Sequence, residues 1–582
     1  MHRTSHIFPF MQWLKNYHRD SFANDLVAGI VVGIMLIPQG MAYAFLAGLP
    51  PQFGLYAAII PLFLYALLGS SRSLAVGPVA IASLMVGSTI AETTSNGYGD
   101  PVTIAINLSL LVGLILLLLR CLRLGAIVNF MSHSVISGFT SAAALMIAIS
   151  QIKHLLDLEI PASQFISEPI IYLFTHLNQI NPVTALLGAC SLGLLWFVKE
   201  HLCNLLRRSP LPGWLVQPIC RAGPMFAMLF GITCVAWLQL QQTHAVTIVG
   251  IIPEGLPSLS GIPIDLQLWK QLITPAILIA LIGFLESVSV GTTLASKCRE
   301  RIDPNKELVA LGVANLGSAF SGTYPVAGGF GRSMVNFSSG AQTTIASMIS
   351  ALIVALTVAF CTPLFYYLPK AVLGAVIIMA VLPLIDLQAF INSWRFNKAD
   401  ALTLLGTFIL VLLLGVELGI LGGITLSFLL MLYRSSQPHI AVVGRVGNSE
   451  HFRNINRHDV SIDKHVLAIR VDESLYFANT RFVEDFIRQQ CVQQQDLKHV
   501  VLICTAVNFI DASALETLEI LTLDLADEGV TLHLSEIKGP VMDQLQNTSF
   551  LQHLEPGKVF FTTDAAMREL AACMANVKQD TV

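Results

Sequence analysis

Apolar runs long enough to cross a bilayer dominate the chain from Asp25 to Tyr433. A spanning helix needs about 20 apolar residues. Runs of that kind fall at 25–47, 54–69, 104–120, 124–152, 183–199, 222–240, 272–296, 306–321, 342–362, 370–386, 399–415 and 417–433. Two shorter stretches, 76–90 and 328–338, each follow a break containing glycine and proline. They read as half-helices that begin inside the membrane, which brings the expected crossings to fourteen. The half-helices stand third and tenth, so the chain divides into seven plus seven with the interruption at the same place in each half. Seven is odd, so the second half enters the membrane inverted. PVAIASLMV at 78–86 and PVAGGFGRSMV at 325–335 are weakly similar, as such a repeat requires.

After Gln437 the pattern changes to short β-rich runs alternating with amphipathic segments. Strands are expected at 466–471, 499–506, 530–534 and 559–562, with helices at 479–490, 512–528, 539–547 and 564–573. Strands separated by helices predict a small parallel or mixed α/β sheet. The expected organisation is an N-terminal segment at 1–21, a membrane domain at 22–436 and a cytoplasmic α/β domain with its tail at 437–582.

Composition agrees with this division. Of 582 residues, 54% are hydrophobic and 12% charged, where a soluble chain carries about 25% charged residues. Lys and Arg favour cytoplasmic loops. With the N-terminus inside, the inner loops hold Arg72, Arg120, Arg123, Lys199, Arg207, Arg208, Arg221, Lys297, Arg299, Arg301, Lys306, Arg395, Lys398 and Arg434. The outer loops hold only Lys153, Lys270 and Lys370, all at helix ends, so both termini are expected in the cytoplasm. The first 20 residues lack the apolar core and cleavage site of a signal peptide and read as a retained segment. The ten cysteines show no metal or redox spacing and are expected to be mostly reduced thiols. A net charge of −4 gives no indication of nucleic-acid binding, and no GxxxxGK[ST] phosphate loop is present. Neither a nucleophile–base pair nor a metal-ligand spacing appears in the C-terminal domain, so no enzyme activity, metal or bound cofactor is expected.

The chemistry lies in the membrane. A helix that begins in mid-bilayer leaves backbone N–H groups without intrahelical partners, and its dipole adds roughly half a positive charge there. Lipid cannot satisfy them, so two facing N-termini lining a polar cavity form an anion site made of backbone. Glycine lets an ion approach closely. Arg332 adds a full positive charge in the second half-helix, to be compensated either by a carboxylate, with Glu286 the candidate, or by the substrate anion. Glu286 lies about 21 Å along a helix that begins at Leu272, out of easy reach of either surface. Burial raises a carboxyl pKa and a guanidinium lowers it, so its protonation is expected to respond to an anion that shields Arg332. In the first helix, Gln39 and Tyr43 share one face and offer donors without charge. Pro38 and Gly40 are expected to distort that helix.

Five stretches, IPQGMAYAFLAGLPPQFGLYAA (37–58), AVGPVAIASLMV (75–86), GFLESVSVGTTLASK (283–297), GGFGRSMVNFSSGAQT (328–343) and NFIDASALETLEIL (508–521), together resemble the sulfate permease (SulP) family. The resemblance runs through nearly the whole chain in order. It implies two inverted seven-helix repeats arranged as core and gate domains, a C-terminal cytoplasmic STAS domain, and a homodimer. It also implies a substrate held between the third and tenth helices against the first and eighth. Matched by motif, the site is Gln39 and Tyr43, Val79 and Ala80, and Phe330, Gly331 and Arg332, with Glu286 as the proton-coupling carboxylate. Many relatives read serine before the arginine, whereas this chain has Gly331. Ser513, in Asp511-Ala512-Ser513, matches the serine phosphorylated in bacterial anti-sigma-factor antagonists, although Ser or Asp there also serves as a helix cap.

The function expected is secondary active transport of an inorganic oxyanion, foremost sulfate with a proton, by an elevator-type mechanism in a bacterial inner membrane. The partners are the anion, the bilayer and a second copy of the chain, with an unidentified regulator of the STAS domain and no nucleic acid. The alternatives are a sodium-coupled bicarbonate or dicarboxylate carrier and an uncoupled anion exchanger or channel.

Overall fold

The computed structural model describes the chain except residues 1–16, 126–131, 159, 161–166, 209–215, 217–218, 259–260, 262, 264, 495 and 580–582. Most of the expected N-terminal segment therefore lies outside the described residues. Two compact units are present, Met1–Ser427 and Phe428–Val582.

In the first unit every expected apolar run contains helix. Among the described residues, eight helices are long and apolar enough to cross a membrane, including Arg19–Leu46, Pro101–Cys121, Leu266–Lys297 and Val416–Ser436. Gly223–Leu238 and Ile345–Phe360 are shorter and equally apolar. The ends are set locally: Asp100, Asn181 and Asp303 each cap a helix that opens with proline, their side chains accepting N–H groups of the first turn. Proline at that position removes one orphan donor and the cap satisfies others.

The two interrupted segments are built differently. β1 (Val76–Gly77) and β2 (Ala327–Gly328) pair antiparallel, Val76 opposite Gly328 and Gly77 opposite Ala327. A helix follows each, Ala80–Ser95 after β1 and Phe330–Ser338 after β2. The first runs five residues beyond the expected end, through a polar ETTS tail that periodicity of apolar residues does not register.

The first helix is continuous from Arg19 to Leu46 with Pro38 inside it. Gly40 is a point of close approach: a Cβ there would lie 2.9 Å from the carbonyl oxygen of Gly54. Two further helices, Ser167–Thr175 and Leu387–Phe396, are too short or too amphipathic to register as apolar runs.

The second unit is a six-stranded mixed sheet in the order β4-β3-β5-β6-β7-β8. β5 (Val466–Val471), β6 (His499–Ile503), β7 (Thr531–Ser535) and β8 (Val559–Phe560) run parallel, as expected from their alternation with helices. β3 (Ile440–Arg445) and β4 (Phe452–Asn454) add an antiparallel edge that the sequence pattern did not signal. Alternate strand residues feed opposite faces. Leu467, Ile469, Val500 and Leu502 pack on the helices Thr480–Gln493 and Ala512–Asp527, and Ala468, Val501 and Ile503 on Thr563–Gln579.

Candidate functional site

The helix N-termini after β1 and β2 carry no side-chain cap; the residues in the cap positions are Val79 and Gly329. The first intrahelical bonds run from Ser83 N–H to Val79 O, 2.9 Å, and from Ser333 N–H to Gly329 O, 3.0 Å. The N–H groups of Ala80, Ile81 and Ala82, and of Phe330, Gly331 and Arg332, therefore lack intrahelical partners. Asp100, Asn181 and Asp303 cap the helices they precede, whereas Val79 and Gly329 have no side-chain acceptor to offer these donors.

A scaffold of hydroxyl and amide groups holds the two breaks together. Ser287 Oγ accepts from Gly328 N–H at 2.8 Å and donates to Gly283 O. Ser333 Oγ accepts from Ala75 N–H at 2.9 Å, and Asn336 Nδ2 donates to Ser73 O at 3.1 Å. Asn315 clasps Val326 from both sides, its Oδ1 accepting at 2.9 Å and its Nδ2 donating at 3.0 Å. Two buried carboxylates anchor the flanking loops. Glu307 accepts from Tyr65 OH (2.9 Å), Ser70 N–H (2.8 Å), Ser70 Oγ (2.7 Å) and Ser71 N–H (3.3 Å) just ahead of β1. Asp25 accepts from the Gln342 and Thr343 N–H groups at 2.7 and 3.0 Å, just after the second half-helix. Sequence reading missed all six side chains. The available signal was a polar residue inside an apolar run, as in VANLGSAF or LESVS, which marks a hydrogen-bonding duty without naming the partner.

Gln39, Tyr43, Val79, Ala80, Glu286, Phe330, Gly331 and Arg332 all line one cavity of about 450 Å³. Arg332 is 3% exposed. Its Nη1 donates to the carbonyl oxygen of Pro78, while Nε and Nη2 have no partner among the described residues. Nor is there a carboxylate within 4.0 Å of it among those residues, so Glu286 and Arg332 do not form an ion pair in this conformation. Glu286 Oε2 and Gln39 Oε1 are likewise buried without partners. Lys199 and Arg221 also line the cavity, so its charged walls carry three cations against one carboxylate. Glu286 and Phe330 border a second, apolar cavity of about 150 Å³ on their other side. The arrangement suits a small anion that accepts hydrogen bonds from two helix ends and a guanidinium.

Cys220, on the wall of the same cavity, is disulfide-bonded. Cys121, Cys190, Cys234, Cys298, Cys361, Cys491 and Cys504 are free. In the second unit Asp511, not Ser513, caps its helix, accepting from Ala514 N–H at 2.8 Å and from Phe477 N–H at 2.9 Å. Ser513 is exposed in the first turn.

Fold and site together define a helical membrane protein with a cavity at paired half-helix N-termini and a C-terminal α/β domain. The chain belongs to the sulfate permease family, whose model matches residues 22–407, and a STAS domain model matches residues 457–566. It is 36% identical to sulfate transporter 4.1, chloroplastic, of Arabidopsis thaliana, over 91% of this chain and 77% of that protein. Sulfate transporter 3.2 of the same plant is 31% identical over 98% of this chain and 88% of its own length. Among solved structures, murine Slc26a9, an anion transporter in the inward-facing state, superposes with a TM-score of 0.88 at 24% identity, covering 98% of this chain and 94% of that one. The transmembrane domain of the cyanobacterial bicarbonate transporter BicA gives a TM-score of 0.59 at 22% identity, over 71% of this chain and 98% of its own.

Proposed function

We propose that the protein is a secondary active transporter of an inorganic oxyanion, with sulfate as substrate and a proton as the coupling ion. The observation that carries this reading is the pair of uncapped helix N-termini facing a buried Arg332 that has no carboxylate within 4.0 Å among the described residues. An anion supplies the missing acceptors and the missing negative charge at once. The curated plant relatives bear the name sulfate transporter, which favours sulfate among the oxyanions.

In this reading Gln39, Tyr43, Val79, Ala80, Phe330, Gly331 and Arg332 hold the anion. Glu286, on the facing helix, takes and releases the proton. When the anion occupies the cavity it screens Arg332, and the Glu286 carboxylate becomes easier to protonate. The fourteen segments form two inverted repeats, and the half-helices ride with the core domain in an elevator motion against the gate. Both termini face the cytoplasm of a bacterial cell, the chain works as a homodimer, and the STAS domain is the regulatory unit, with Ser513 its phosphorylation site.

Purified protein in liposomes, offered labelled sulfate, bicarbonate and fumarate under separate proton and sodium gradients, tests the reading. Proton-driven sulfate uptake is expected. Sodium-driven bicarbonate or fumarate uptake would replace it with the sodium-coupled alternative, and gradient-independent exchange with the uncoupled one. Glu286→Gln is expected to bind sulfate normally and to lose the response to a proton gradient. Wild-type proton coupling in that variant removes Glu286 from the role.

A further inference from the structure

Behind the central cavity, on the far side of the first helix, lies a second one of about 590 Å³, whose walls include Phe45, Leu84, Glu92, Gln151, Lys153 and His154. Tyr43 faces the central cavity, and Phe45, two residues on and so about 200° around the helix, faces the second. The first half-helix divides them likewise, with Val79, Ala80 and Ile81 on one side and Leu84 onward on the other. Gly87, in the first half-helix, packs on the end of the first helix; a Cβ there would stand 2.7 Å from the Leu46 carbonyl oxygen. The central cavity reaches Lys199 and Arg221, on the lysine- and arginine-rich side of the chain. The second cavity lies at the opposite helix ends, where basic residues are scarce.

Two of the three outer lysines nevertheless come near one another here, Lys153 on the lining and Lys370 against the lining residue Phe45. Lys370 Nζ sits over the Phe45 ring, 5.5 Å from its centroid, and the His154 imidazole meets the same ring at 4.4 Å. Lys153 and Lys370 are half-buried and close enough to repel one another electrostatically. Neither has a carboxylate within 4.0 Å among the described residues. Asp157, at the end of the same short helix as Lys153, accepts instead from Thr247 Oγ1 at 2.5 Å and Thr184 Oγ1 at 3.4 Å. Glu92 stands on the same lining, without an ion pair to either lysine. Gln151, 2% exposed, has its Oε1 buried without a partner on this lining, an acceptor for water that travels with an ion.

We propose that this cavity is an outer capture site, in which Lys153 and Lys370 hold a partly hydrated small oxyanion before the central site opens to that face. Two like charges held together without a counterion are relieved by a divalent anion, and the position one helix thickness from Tyr43 makes the site the antechamber of the central cavity. The inference rests on the transport reading given above.

The test uses the full chain in uniformly oriented liposomes, with labelled sulfate offered at either face at constant ionic strength. The K153Q/K370Q double variant is expected to raise the outer-face KM for sulfate at least fivefold, with maximal rate and inner-face KM unchanged. K153R/K370R is expected to restore the outer-face value. An unchanged outer KM overturns the proposal and leaves the lysines as surface anchors. An equal rise at both faces, or a fall in maximal rate alone, overturns it in favour of a structural role. If the wild-type protein carries no oxyanion from either face, the transport reading itself fails, which the variant comparison keeps distinct.

Discussion

Arg332, in the first turn of the second half-helix, donates from Nη1 to the carbonyl oxygen of Pro78, two residues before the first half-helix begins. One guanidinium thus joins the two breaks, 254 residues apart in the chain, while Nε and Nη2 remain without protein partners. The bond to Pro78 orients the group, and in the proposed function the remaining N–H groups serve the anion.

Arg332→Ala removes both the charge and the tie. Equilibrium binding of labelled sulfate is expected to weaken at least tenfold, about 1.4 kcal/mol or more. Arg332→Lys keeps the charge but cannot serve the carbonyl and the anion with one planar fork, so its affinity is expected to fall between the two. Wild-type affinity in Arg332→Ala would remove the arginine from the site.

The two glycines beside Arg332 are expected to behave oppositely. A Cβ at Gly329 would lie 3.0 Å from Arg332 Nη2 and 3.2 Å from Cζ, whereas at Gly331 nothing lies within 4 Å. Gly329→Ser therefore presses on the guanidinium and is expected to raise the KM for sulfate. Gly331→Ser places a hydroxyl in open space on the cavity wall and is expected to leave the maximal rate intact with an equal or lower KM for sulfate.

Glu307 is 0% exposed and accepts four hydrogen bonds that pin the chain ahead of β1. In Glu307→Ala the Ser70 and Ser71 N–H groups lose their acceptor, a loss on the order of 3 kcal/mol. A lower unfolding temperature in detergent is expected, with anion binding lost alongside. Glu307→Gln keeps one acceptor oxygen and should lie between the two.

In the STAS domain His533 Nδ1 accepts from Lys558 N–H at 3.1 Å, which fixes the proton of the neutral ring on Nε2. That nitrogen stands 3.1 Å from His499 Nδ1, the acceptor of the pair. Burial, then the neighbouring His499, pushes the His533 pKa down from 6.5 to about 4. Above pH 6.5 both folded and unfolded rings are neutral. As pH falls from 6.5 toward 4 only the unfolded ring gains the proton, so stability is lost across that window. Hydrogen exchange on the full-length protein at pH 7 and pH 5, corrected for intrinsic rates, is expected to show protection of β6–β8 falling at the lower pH. His533→Gln is expected to flatten the dependence.

Much of this was legible in the sequence because the decisive costs are local. A run of apolar residues must be helical in a bilayer, and a Gly/Pro break within it exposes donors that lipid cannot satisfy. That reasoning located both half-helices, the parallel strands of the STAS domain and eight residues that meet at one cavity. It missed β3 and β4, whose pairing partners supply the order their short sequences do not.

Chain composition and periodicity therefore settle where helices lie and where their N–H groups go unpaired, since those depend on near neighbours. Only the folded chain decides which distant groups meet. That Arg332 turns to Pro78 and not to Glu286, that Ser333 and Asn336 tie the second break to the first, and that Lys370 sits over Phe45 follow from packing between segments hundreds of residues apart. A buried polar group in a sequence states a need for a partner, and tertiary structure alone supplies one or leaves the place to a ligand.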